Sequence, residues 1–68
     1  MVEVFDPFTD LPQASREAAH RHIKQMQVIG LRLIRFERTQ AAGGTNLLLY
    51  FGDGKSEDLI TIIMFVPS

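Results

Sequence analysis

The chain has 68 residues, 46% of them apolar, with seven basic and eight acidic side chains for a net charge of −1, and it contains no cysteine and no tryptophan. That length makes one domain, residues 1–68, near the lower limit at which a single core offsets the entropy of folding. Disulfides and thiolate zinc sites are excluded, and the near-neutral balance argues against a general polyanion binder, so association with another chain is the remaining way to stabilise so short a domain.

Residues 2 to 5, Val-Glu-Val-Phe, alternate in the manner of a short edge strand or extended arm and are stopped by Asp6 and Pro7. Phe8 follows as a large apolar side chain in need of a place to pack. Asp10 is expected to cap a helix over residues 11 to 29, with Gln13 as its capping-box partner and Pro12 tolerated in the first turn. At 100° per residue, Leu11, Ser15, Ala18, Ala19, His22, Met26 and Ile29 share one face, and Ile23 lies at its margin. Gly30 suits the left-handed position that ends a helix, and Leu31 beyond it is placed to pack back toward Met26.

Leu31 to Arg38 reads as a strand whose phase changes midway. Leu33 belongs to one face while Ile34 and Phe36 belong to the other, which requires either a bulge near Leu33 and Ile34 or cover on both faces. Thr39 to Thr45, rich in alanine and glycine, is expected to be a flexible hairpin loop. Asn46 to Phe51 forms the next strand, and Gly52-Asp53-Gly54 with the polar residues after it forms the next turn. Leu59 to Val66 carries no charge, glycine or proline and is expected to be a deeply buried strand, fenced by Glu57, Asp58 and Pro67 against addition of another chain.

The order β-α-β-β-β gives an α+β fold: one amphipathic helix packed on a small antiparallel sheet whose last three strands form a meander. One helix covers one face of such a sheet, yet both faces of the last two strands are apolar instead of alternating with polar residues. The second face therefore needs a partner, and a second copy of the chain is the simplest candidate. Tyr50, Ile60, Ile62, Met64 and Val66 are expected at the centre of that interface.

Chemistry is thinly signalled. Gly54-Lys55-Ser56 ends like a phosphate-binding loop, but Leu49 stands where that motif needs its first glycine and a helix does not follow. His20 and His22 point about 200° apart on a helix and cannot chelate one ion. His22, within the apolar stripe beside Ser15, is the one group placed to respond to pH at an interface. Arg32, Arg35 and Arg38 interleave with Phe36 in a strand, with Arg32 and Arg38 expected on one face and Arg35 on the other. They provide a nucleic-acid alternative, against which stands ion pairing to Glu37 or to the acidic end of another copy. A small-ligand carrier with a pocket between subunits, leaning on Tyr50, Phe36 or Phe65, is a third reading. No apolar run approaches the roughly 20 residues of a membrane span and no leader pattern opens the chain. The reading is thus a soluble, cytoplasmic, non-enzymatic protein-interaction domain that self-associates, with no cofactor, no metal and no membrane partner.

Overall fold

The computed structural model describes residues 6–68, so the strand expected over residues 2 to 5 lies outside the described residues. Helix α1 (Gln13–Val28) is followed by β1 (Arg32–Ala41), β2 (Gly44–Gly52) and β3 (Ile60–Pro67). The three strands form one antiparallel sheet in the order β1-β2-β3, and the fold is α+β with the helix before the meander.

The helix begins at Gln13 with Pro12 as its N-cap residue, and no side chain caps it. Asp10 therefore does not play the capping role its position implied. The proline explains this: a residue preceding proline is disfavoured in the helical region, which keeps Leu11 outside the helix and leaves Asp10 two positions too early. The carboxylate of Asp10 instead receives the guanidinium of Arg38. The other end follows expectation. Gly30 adopts a φ of 81°, its N–H donates to the Gln27 carbonyl, and the Leu31 N–H reaches back to the Met26 carbonyl at 2.9 Å. These two bonds are a Schellman arrangement, which satisfies carbonyls that the helix end would leave unpaired.

Ser15 and Ala19 are the buried positions of α1, with Ile23 and Met26 packed beside them against the core. Ile29, expected on that stripe, is 65% exposed because the helix has ended before it.

The core cluster comprises Phe8, Ala19, Leu47, Leu49, Phe51 and Val66. Its centre is β2, the middle strand, and not β3. Leu47, Leu49 and Phe51 are fully buried, whereas β3 alternates between exposed and half-buried positions and buries only Val66. A middle strand has neighbours on both edges and the helix above it, but β3 lies at the sheet margin. The expectation of deep burial for Leu59 to Val66 is overturned by that placement. Phe8 finds its place in the core, with its ring edge-on to Phe36 at 5.2 Å between centroids.

A register shift between Leu33 and Arg35 supplies the bulge that the changing phase required. Leu33 thereby packs against the core with Phe36, and Ile34 turns to the opposite side. The stretch 39–45 is tighter than a flexible loop: β1 and β2 continue until Ala41 pairs with Gly44, leaving a two-residue turn. Gly44 lies so close to β3 that a Cβ there would overlap the Val66 carbonyl oxygen and approach the Phe65 ring to 2.8 Å. The N–H and hydroxyl of Ser68 both donate to the Gly43 carbonyl and close this end of the sheet.

Candidate functional site

The pairing register decides which side chains share a face. Leu47, Leu49 and Phe51 stand opposite Met64, Ile62 and Ile60, and Thr45 stands opposite Val66. Cross-strand partners point the same way. All four even-numbered β3 residues therefore lie on the helix side, where Ile62 and Met64 pack against the core. On β1, Phe36 and Arg38 pair with Leu49 and Leu47 and belong to the same side.

Among the described residues, the other side of the sheet carries no helix. It presents Arg32, Ile34, Arg35, Glu37 and Thr39 from β1, Asn46, Leu48 and Tyr50 from β2, and Thr61, Ile63 and Phe65 from β3, with Leu59 just before that strand. Ile34, Leu59, Ile63 and Phe65 are 44%, 39%, 64% and 49% exposed. Leu48 and Tyr50 between them are half-buried. Gly52 makes room at one end of this face, where a Cβ would meet the side chains of Leu59 and Ile34.

Of the five residues expected at an interface, only Tyr50 belongs to this open face. Ile60, Ile62, Met64 and Val66 are on the helix side, and Val66 is part of the core. An alternating pattern defines two sets within each strand, but which set of β3 joins which set of β2 depends on register. Tyr50 pairs with Thr61, so the odd-numbered β3 residues share its face.

The open face is uneven in charge. Arg35 lies over the ring of Tyr50 at 4.0 Å from the centroid and also pairs with Glu37. The Tyr50 hydroxyl donates to the second oxygen of Glu37 at 3.2 Å. A cation, an anion and an aromatic ring are thus held together on the β1 side of the face, and the β3 side is apolar apart from Thr61. Sequence reading anticipated a pair between an arginine and Glu37; Tyr50's part in it is visible only once Glu37 stands opposite Leu48 and Arg35 opposite Tyr50.

The three strand arginines do not form one basic surface. Because the bulge intervenes, Arg32 pairs with Gly52 and Arg38 with Leu47, so these two are on opposite faces instead of sharing one. The Arg32 guanidinium lies against Gly54 in the β2–β3 turn. Arg38 donates to both carboxylate oxygens of Asp10, at 2.6 and 2.9 Å, and to the Pro7 carbonyl. Its hydrogen bonds hold Asp10 below the usual carboxylate range, and Asp10 in turn raises the arginine.

His22 is half-buried on α1, while the neighbouring His20 makes the polar contact at this end of the molecule. Its Nε2 lies 3.0 Å from Asp6 Oδ2, and the other Asp6 oxygen accepts from the Phe8 N–H. That backbone bond, followed by the His20 contact, holds Asp6 below its ordinary value. Asp53 is lowered too, by backbone N–H groups of Ser56 and Lys55 that close the β2–β3 turn. Among the described residues, no group of three or more histidines and acids is placed to hold a metal ion, and no helix is long and apolar enough to cross a membrane.

No protein-family model matches the chain, and comparison with curated proteins and with solved structures gives no match. The functional reading therefore rests on the geometry of the face itself.

Proposed function

We propose that this chain is a non-enzymatic interaction domain that associates with a second copy of itself through the open face of its sheet. The observation that carries the reading is the exposure of Ile63 and Phe65 together with Ile34 and Leu59 on the side opposite the helix. Three strands of eight to ten residues, at about 4.8 Å spacing and roughly 3.3 Å per residue, offer a footprint of roughly 400 Å² in plan. The apolar side chains occupy the β3 side of that footprint, and a contiguous exposed apolar patch of this kind often marks an interaction site.

A second copy fits the chemistry because the net charge is only −1 and two copies repel weakly. Addition of a chain along the outer edge of β3 would pair backbone groups but leave the exposed side chains of the face in water. Face-to-face packing, as between the layers of a β-sandwich, removes them from it. The arginines favour this reading over nucleic-acid binding, since Arg35 and Arg38 already face carboxylates and Arg32 lies over a turn.

Sedimentation velocity over a dilution series, with circular dichroism on the same samples, tests the proposal. The expected result is a mass twice that of the 7.7 kDa chain that falls on dilution. Ile63→Asp should weaken the dimer by at least about tenfold, and Lys55→Asp, in the exposed turn, should leave it unchanged. A compact, folded monomer at all concentrations, or equal tolerance of both substitutions, overturns the reading. Ile62→Asp is not a clean probe, because Ile62 packs against the core under the helix.

A further inference from the structure

We infer that the two copies are related by a two-fold axis running across the strands, so that Arg35 of each copy meets Glu37 of the other; this inference rests on the open-face dimer proposed above. The face is asymmetric across its width, with Arg35 and Glu37 on the β1 side and Ile63 and Phe65 on the β3 side. Two symmetric ways of stacking such a face on itself keep the strands roughly aligned, and they have opposite consequences.

An axis parallel to the strands would lay β1 of one copy over β3 of the other. Glu37 would then lose water against Ile63, and Arg35 would meet only Thr61, so neither charge gains an opposite one to offset its desolvation. An axis across the strands lays β3 over β3 and β1 over β1 with the direction of each reversed. With the axis at the level of Phe36, Phe65 then comes over Leu59 and Ile63 over Thr61 of the other copy. Reversal also inverts the order of the charges along β1, setting a cation opposite an anion twice in each dimer.

The register makes this match geometrically feasible. Arg35 and Glu37 are two residues apart on one face, so an axis at the level of Phe36 places each opposite the other's counterpart. In the same arrangement Leu48, which pairs with Glu37, lies over Tyr50 of the second copy, because Tyr50 pairs with Arg35. Stacked sheets lie about 10 Å apart, a gap that an arginine and a glutamate extended toward one another can bridge. The pairs already formed within each chain, Arg35 to Glu37 and Arg35 over Tyr50, fix the positions of both charges before docking.

Charge reversal in separate copies tests the direction of the axis. Arg35→Glu and Glu37→Arg, each alone, should dimerise at least tenfold more weakly than the natural chain, and an equimolar mixture should form the mixed dimer in at least tenfold excess over the statistical proportion, read by native mass spectrometry. Neither variant regains its internal pair on mixing, so selective pairing has to come from contacts between copies. A statistical mixture, with Ile63→Asp still disrupting the dimer, overturns the crosswise axis and leaves the open-face reading standing. A natural chain that is monomeric, or a dimer indifferent to Ile63→Asp, overturns both. If either reversal fails to fold by circular dichroism, the natural dimer decides the matter: its dissociation constant should rise several-fold between about 0.05 and about 0.5 M salt, and a salt-independent constant overturns the charge match.

Discussion

Arg38 on β1 and Asp10 before the helix meet as a two-pronged ion pair, at 2.6 and 2.9 Å, across 28 positions of chain. The same guanidinium also donates to the Pro7 carbonyl at 2.9 Å. Together these bonds tie the segment from Pro7 to Asp10 to the sheet, and Phe8 within that segment is held in the core. Replacing Arg38 by Met keeps the apolar stem and removes the tie. The Phe8 and Leu11 amides should then exchange with solvent at least about fivefold faster, while amides in the middle of β2 are unchanged, as measured by hydrogen exchange. Unaltered protection at Phe8 would show that packing alone secures the segment.

Acid should loosen this segment and the β2–β3 turn. Asp10, Asp6 and Asp53 all have folded-state values below their ordinary one, so each stabilises the fold fully above about pH 3.9 and loses that contribution as pH falls through its lowered value. Stability measured by urea unfolding should therefore decline below about pH 4 from these groups. Asp10→Asn removes one of the three and should make the acid decline shallower; an identical decline in the variant would mean that the Arg38 pair contributes nothing on this limb.

Phe8→Ala should cost about 3–5 kcal/mol, because it empties a fully buried aromatic site against Phe36. For a domain of this length, with total stability on the order of 3–10 kcal/mol, that is enough to populate the unfolded state. Val28→Ala, at an 85% exposed position, should change stability by less than about 0.5 kcal/mol. Thermal unfolding of the two variants side by side provides the check, and comparable losses would contradict the assignment of Phe8 to the core.

Two glycines should respond to alanine differently. At Gly30 the backbone is left-handed and no atom lies within 4 Å of an added Cβ, so the cost is that of the backbone alone, about 1–2 kcal/mol. At Gly44 the added carbon meets the β3 backbone, which must move or unpair. Gly44→Ala should be the more destabilising, and its effect should appear as faster exchange at the Val66 and Ser68 amides. Equal losses at the two positions would show that the sheet end yields without cost.

Local signals were legible wherever the cause is local. Gly30 and the residues around it specify the helix end, because a left-handed backbone is cheap only for glycine. The phase change between Leu33 and Phe36 specifies a bulge, because side chains alternate strictly along a strand. Asp10 misled for an equally local reason: its capping pattern is genuine, but Pro12 moves the helix start beyond its reach. The preference for His22 over His20 followed from placement on the apolar stripe, while the Asp6 contact that distinguishes His20 spans 14 positions and leaves no periodic mark.

By itself the sequence determined one helix, a three-strand meander and an apolar excess that a single helix cannot cover, since periodicity and turn chemistry act over a few neighbouring residues. Only the tertiary structure decided where that excess emerges. Pairing of Tyr50 with Thr61 sends Ile63 and Phe65 to the open face and Ile62 and Met64 beneath the helix. A shift of one residue in that register would exchange the two sets, and alternation within a strand is the same in either case.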